Sequence, residues 1–266
     1  MLLLMGYRFD DDTAVSLLAA GRYAVHLHGE WSIGNALHGG YLLSVACRAA
    51  LADDPHPDLL SVTANFLRRA EPGPAEVLVE PTRSGRRVGF SRALVVQGGE
   101  PVLDALVTAG TLTAEPEVWT DLSGVDWVEP DFEAPGPLWK GFQPPMLGLR
   151  DVYVDPRMPF LSGDFTGPRV MSGWLRFSDG RPPDALAMPF LCDALPPVTF
   201  AQARFGWAPT IQLSLSVRAL PAPGPCWVTM RGGLEAGGYM DEQIEVWDRS
   251  GRLVAHGYQF AGSPRS

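Results

Sequence analysis

The sequence predicts an α+β protein built from two similar halves, each an antiparallel sheet wrapped around a long helix, with the halves packed as a pseudo-dimer. The first observation behind this is an internal repeat. SVTANFLRRAEPGPAEVLVE (Ser61 to Glu80) and the hairpin pattern VVQGGEPVLDALVTAG, ending at Gly110, recur as PTIQLSLSVRALPAPGPCWVTM (Pro209 to Met230) and IEVWDRSGRLVAHGYQFAG, ending at Gly262. From Gly73 and Gly224 onward the copies run in register 151 residues apart, placing Pro74 on Pro225, Gly98-Gly99 on Arg249-Ser250 and Thr108 on Gln259. The second observation is that a strand pattern and then a helical pattern precede the repeated strands in both halves. The third is size: 266 residues, 46% of them hydrophobic, supply two cores of ordinary domain dimensions. Two copies of one supersecondary unit imply half-domains related by a pseudo-two-fold axis, with any site between them.

Along the chain, MLLLMGYRFDDD opens with a short apolar run that has no basic residue before it and three aspartates after it, so neither a signal peptide nor a membrane span is expected there. In Arg22 to Ile33, Tyr23, Val25 and Leu27 alternate with polar or small partners, which predicts a strand. Gly34 to Asp54 sets Leu42, Val45, Ala46 and Ala49 at helical spacing, and Asp53-Asp54-Pro55 ends that helix. About four antiparallel strands follow. Between Ala114 and Leu147 the periodicity fails in a stretch rich in Pro, Gly and acids. This is the linker, and Trp119, Trp127 and Trp139 predict that it lies against the protein surface. The second half repeats the scheme with a strand around Met171 to Phe177, a loop, and a helix from about Ala185 to Ala203. Pro196-Pro197 should kink or split that helix, because each proline lacks a donor and crowds the preceding turn. Strands begin again at Thr210. The expected division is a first half over 1–114, a linker over 115–147 and a second half over 148–266.

A formal net charge of −9 argues against nucleic-acid binding, which needs a basic footprint. Basic charge is almost all arginine, Lys140 being the single lysine, and reads as composition bias. Cys47, Cys192 and Cys226 are odd in number, widely spaced and set in apolar context, which suggests buried free thiols in a reducing compartment. Tyr41 to Leu51, the longest other apolar run, contains Arg48 and is too short to span a bilayer. A cytoplasmic protein that enters no membrane is the expectation.

Two motifs carry chemistry. His38-Gly39-Gly40 opens the first long helix, where glycines let a ligand approach the backbone and the first-turn amides point outward with the positive end of the helix dipole. Amides from Gly39 to Tyr41 suit a carbonyl oxygen that becomes an oxyanion. The same residues equally serve as the start of a tightly packed helix, with His38 bonded locally. The second motif is Asp193, flanked by Phe190, Leu191, Cys192 and Leu195. In a dry cleft its pKa rises, which suits a general base acting on water; the other reading is a partly exposed aspartate capping the turn at the proline break. The first helix has no acid between His38 and Asp53, and the second has no His-Gly-Gly, so one composite site is the economical explanation. Alternation in PTIQLSLSVRA puts Ile211, Leu213, Leu215 and Val217 on one face and Thr210, Gln212, Ser214 and Ser216 on the other. Gln259 shares its face with Gly257 and Ala261, leaving room for a neighbour. Thr210 and Gln259 beside a carboxylate can orient an attacking water, although an ordinary strand threonine fits the pattern equally.

HGGYLL, SVTANFLRRAEPGPAEV and GRRVGFSRALVVQGG in the first half, with CDALPP, PTIQLSLSVRA and HGYQFAG in the second, resemble the bacterial type II acyl-CoA thioesterase family over nearly the whole chain outside the linker. The resemblance implies a tandem double hotdog fold, with Asp193 at the catalytic aspartate, Thr210 at the threonine opening the following strand and Gln259 at the glutamine of the final strand. Two departures bear on substrate preference: YQFAG is less polar than the corresponding stretch in many members, and Tyr41 stands where members often have glutamine. Acyl-CoA or a related acyl thioester is the implied partner, and a homodimer is compatible with the family. Gly-x-Ser-x-Gly, paired-Cys zinc spacing, His-Glu-x-x-His, P-loop and dinucleotide fingerprints are absent from the sequence, so no metal or cofactor is expected. Hotdog hydratases carry a histidine five residues after the aspartate, where this chain has Val198. The expected function is release of free acid and CoA by water attack, with Asp193 as general base and His38, Gly39, Gly40 and Tyr41 binding substrate. The alternative is a non-catalytic acyl-thioester binding protein of the same fold. Arg68, Arg69, Arg83, Arg86, Arg87 and Arg92 either hold coenzyme A phosphates or, for most of them, form a solvated face. Phe190, Tyr41 and Trp207 are candidates for setting pocket size.

Overall fold

The computed structural model describes residues 6–120, 127, 129–132 and 145–264. The first half runs α1 (Arg8–Asp12), β1 (Ser16–Ala19), β2 (Arg22–Leu27), a small ladder of β3 (Ser32–Ile33) and β4 (Ala36–Leu37), α2 (Gly39–Ala52), then β5 (Asp58–Phe66), β6 (Gly73–Ser84), β7 (Gly89–Gln97) and β8 (Glu100–Gly110). The second half runs β9 (Arg150–Val154), β10 (Val170–Phe177), α3 (Met188–Cys192), β11 (Thr210–Val217), β12 (Cys226–Ala236), β13 (Tyr239–Trp247) and β14 (Leu253–Gly262).

The repeat is real in three dimensions. Thr63 and Ser214, 151 positions apart, pair directly across β5 and β11, and their hydroxyls meet at 3.0 Å. Val62 opposite Leu215 and Ala64 opposite Leu213 exchange under the same shift, so the pseudo-two-fold axis passes between these strands. Gly73 and Gly224 adopt matching φ values of 131° and 126°, a conformation that side chains rarely tolerate, which explains why glycine recurs there.

Two expectations are corrected. The sheets are not separate: twelve strands form one antiparallel sheet in the order β1-β2-β6-β7-β8-β5-β11-β14-β13-β12-β10-β9. β5 and β11 would each end its own half with a row of unpaired backbone groups, and pairing them satisfies both. Nor is there a long helix among the described residues of the second half. It has a 3-10 turn at Ala185–Ala187, α3 of five residues, a break, and a second 3-10 turn at Val198–Gln202. Pro189 sits in the first turn of α3, where proline is tolerated, whereas Pro196 and Pro197 prevent continuation. Among the described residues only α2, of 14 residues, is a long helix wrapped by sheet; it packs on β5 to β8 and crosses α3.

Trp127 of the linker covers the outer face of the second half, 5.2 Å from Trp174 and 6.0 Å from Trp227 between ring centroids. Glu117 and Glu129 are tied to Arg252 and Arg249 at 2.7 and 2.8 Å. Trp119, by contrast, is exposed, and Trp139, like the apolar run at the start of the chain, lies outside the described residues. Helix α1 was not legible, because RFDDD reads as a polar turn; Phe9 is its anchor, against Trp31, Phe177 and Phe190. All three cysteines are buried and free.

Candidate active site

Asp193 caps the C-terminus of α3, at the break that the prolines enforce. Its Oδ2 accepts the Gly40 amide at 2.7 Å. An acid of the second half thus fills the positive N-terminus of α2 from the first. The crossing needs a glycine: a Cβ on Gly40 would stand 2.5 Å from Pro189 O, 2.8 Å from Phe190 Cα and 2.9 Å from Asp193 Cβ. A Cβ on Gly39 would come within 3.0 Å of both Asp193 Oδ2 and the Phe66 ring.

His38 braces this junction. Its Nδ1 accepts the Tyr41 amide at 3.3 Å, which leaves the proton on Nε2, and Nε2 donates to the Asp193 carbonyl oxygen at 2.8 Å. Burial lowers the His38 pKa, so the ring is neutral near neutral pH. Burial also raises the Asp193 carboxyl above the usual aspartate range, while His38, the Gly40 amide and Arg150 restrain the rise.

Of the amides from Gly39 to Tyr41, those of Gly40 and Tyr41 are committed to protein acceptors, and Gly39 is half-buried. The Tyr41 side chain is fully buried in the core. Its ring stacks on Trp31 at 5.3 Å, and its hydroxyl donates to Asp12 O at 2.8 Å and accepts the His28 amide at 3.2 Å. Phe190 is likewise fully buried, whereas Trp207 is exposed.

Strict alternation misplaces Thr210. In the β11–β14 ladder Thr210 opposes Ala261, Gln212 opposes Phe260 and Leu213 opposes Gln259, with a bulge at Ile211. Opposed residues share a face, so the extra residue turns Thr210 off the side of Gln212 and Ser214 and onto that of Leu213, Gln259 and Ala261. That face meets α3. Thr210 is therefore a diagonal cross-strand neighbour of Gln259, roughly 7–8 Å between backbones.

Two charged residues here were missed from the sequence. Glu242 is fully buried and directly opposite Gln259. Its Oε1 accepts the Val198 amide at 2.8 Å and its Oε2 accepts Gln259 Nε2 at 3.1 Å. Burial pushes its carboxyl up to about 7, the Val198 amide restraining the rise and the Asp193 charge adding to it. Its signal was present: Met240, Glu242, Ile244 and Val246 share one phase of β13, an acid amid apolar residues. Arg150 is buried, with Nε and Nη1 lacking a protein partner. Burial brings its pKa down to about 10, and the Asp193 charge opposes the fall.

The first-half arginines do not converge on Asp193. Arg92 forms a two-pronged pair with Asp104 at 2.8 and 2.7 Å, and Arg68 donates to Pro101 O at 3.0 Å. Arg83, Arg86 and Arg87 line a shallow depression at the β6–β7 turn, beside Gly89, which abuts Asp54 past the end of α2. That is the length of α2, about 20 Å, from the N-terminal end where Asp193 sits.

A repeated antiparallel sheet unit related by a pseudo-two-fold axis, with a long helix cradled in the first half and a mostly buried acid where α2 meets α3, defines a double hotdog protein of the thioesterase type. Residues 27–110 match the family model for the acyl-CoA thioesterase N-terminal domain and residues 120–262 that for the acyl-CoA thioesterase C-terminal domain; the chain belongs to this acyl-CoA thioesterase family. An uncharacterized protein of Mycobacterium tuberculosis is 32% identical over 269 residues, covering 90% of this chain and 89% of its own. A solved structure from Thermobifida fusca, provisionally described as a thioesterase II, is 30% identical with a TM-score of 0.86, over 97% of this chain and 98% of its own. A hotdog protein of unknown function from Alicyclobacillus acidocaldarius shares the fold, with a TM-score of 0.84 at 22% identity over 98% of this chain and 100% of its own. Among the described residues no helix is long and apolar enough to cross a membrane.

Proposed function

We propose that the protein hydrolyses acyl-CoA or a related acyl thioester to a free acid and a thiol, with Asp193 as general base. The observation that carries this is the Asp193 carboxylate of one half, mostly buried and held at the helix N-terminus of the other. A water held against Asp193 attacks the carbonyl carbon while Asp193 takes its proton. The new C–O bond leaves negative charge on the carbonyl oxygen, for which the Gly39 amide and the positive end of α2 are the donors. Collapse breaks the C–S bond, the electron pair leaves with sulfur, and the Asp193 proton passes to the thiolate or to solvent. Thiolate leaves readily, so no separate acid is required. Thr210 and Gln259 orient the water, and His38 fixes the backbone of Asp193. Buried free thiols fit a reducing compartment such as the cytoplasm.

The test is thiol release from short, medium and long acyl-CoAs by wild type and Asp193→Asn. Wild-type release should fall roughly a hundredfold to ten-thousandfold in the variant while thermal unfolding stays intact. Because the base must be ionised, kcat/KM should fall as pH drops through a value above the ordinary aspartate range. Release that survives in the variant removes Asp193 from this role. Tight acyl-CoA binding without release would make this a binding protein.

A further inference from the structure

We propose that Glu242 is a positioning residue for the hydrolysis: its carboxylate fixes the Gln259 amide with the nitrogen turned away from the reacting water and the oxygen turned toward it. The inference rests on the reading of Asp193 as the base. A water has two protons and two lone pairs. During attack one lone pair goes to the carbonyl carbon and one proton to Asp193; the Thr210 hydroxyl can serve the other lone pair, and the second proton needs an acceptor. Gln259 Oε1 is a buried acceptor with no protein partner, while the amide nitrogen of the same side chain is anchored on Glu242 at 3.1 Å.

An ionised carboxylate only accepts, and Glu242 faces two donors, the Val198 amide and Gln259 Nε2. A flipped Gln259 would set its carbonyl oxygen against a carboxylate oxygen in a dry site and leave the second water proton unserved. The carboxylate is itself held in place. Gly232 opposes Glu242 on β12, and a Cβ there would come within 3.0 Å of Val198 Cγ2, so the glycine lets the Val198–Gln202 turn approach closely enough to donate.

The charged groups around Glu242 are Asp193 across the site, with Arg169, Asp241 and Glu235, the last paired with Arg204 at 2.5 Å, in the crevice beyond Val198 and Gly232. Ionisation is part of the device. Burial places the carboxyl at about 7; once protonated, one of its oxygens becomes a donor and no longer discriminates the two ends of the Gln259 amide.

The experiment is thiol release by wild type, Glu242→Gln, Gln259→Ala, the double variant and Asp193→Asn, above the Glu242 pKa. Glu242→Gln keeps the shape and removes a buried charge. It should lower kcat roughly tenfold to a hundredfold with KM little changed, and should cost nothing further on the Gln259→Ala background. An equal cost on both backgrounds overturns the inference, because the residue then acts without Gln259. Should Glu242→Gln fail to fold, the side-chain amide NMR signals of Gln259 in wild type, assigned by their loss in Gln259→Ala, still decide. A shift with a midpoint near the Glu242 pKa is expected, and an amide insensitive to pH overturns the inference. Asp193→Asn separates the two readings. Turnover surviving there defeats the thioesterase mechanism itself, whereas its collapse alongside an additive Glu242→Gln defeats only the role of Glu242.

Discussion

Arg150 keeps its Nε and Nη1 nitrogens buried with no protein acceptor, an arrangement that costs stability. Its charge acts on Asp193: burial raises the aspartate carboxyl, and His38, the Gly40 amide and Arg150 each favour the ionised form and restrain that rise. Arg150→Met should therefore raise Asp193 further and move the acid limb of kcat/KM upward in pH. Thermal stability should be unchanged or improved, because an unpaired buried cation is replaced by a side chain of similar length. A pH–rate profile alongside a melting curve checks both. An acid limb that stays in place would show that the guanidinium does not govern the base. Since the Asp193 charge also raises Glu242, the limb in either protein belongs to the pair and not to one residue.

At the scale of elements, the α2–α3 crossing sets the sharpest constraint. Gly40→Ala would press a methyl group onto Pro189 O, Phe190 Cα and Asp193 Cβ, atoms that move only if the helices part. A loss of about 1–3 kcal/mol in urea unfolding is expected, with thiol release falling as well. Gly39→Ala meets a carboxylate oxygen and a phenyl ring that can turn, so its cost should appear in kcat more than in stability. These elements differ in how far the sequence disclosed them. The repeat was legible because Gly73 and Gly224 must both be glycine at φ near 130°. The helix break was legible from Pro196-Pro197, but its extent was not, since apolar spacing alone cannot tell a helix from successive 3-10 turns. Alternation placed Thr210 on the wrong face, because one bulged residue, Ile211, reverses the phase of everything before it. Glu242 was hidden among the acids of DEQIEVWD, where only strand register separates the inward carboxylate from its outward neighbours.

The site exists only where the two halves meet, so whatever ties them together also preserves Asp193 against Gly40. Besides the β5–β11 pairing and the helix crossing there is a third tie through α1. Buried Arg181 of the second half donates to Asp10 at 2.9 and 2.8 Å and to Asp184 at 2.6 Å, and Arg48 of α2 reaches the same Asp10 oxygen at 2.8 Å. Burial alone would raise the Asp10 carboxyl; Arg181 and then Arg48 outweigh it, and the net shift is downward. A carboxyl held below its unfolded value adds stability that is complete above the unfolded pKa, near 4, and is lost as pH falls through the folded one. Asp10→Asn should therefore lower Tm by a few degrees near neutral pH, a moderate effect because Asp10 is about a third exposed and partly screened. The gap to wild type should hold steady down to roughly pH 4 and close below it, as the wild-type carboxyl takes up its proton. Melting curves of both proteins at several pH values measure that gap. If it persists undiminished well below the folded pKa, the loss comes from the packing of Phe9 and its neighbours, and the ion cluster is incidental to joining the halves.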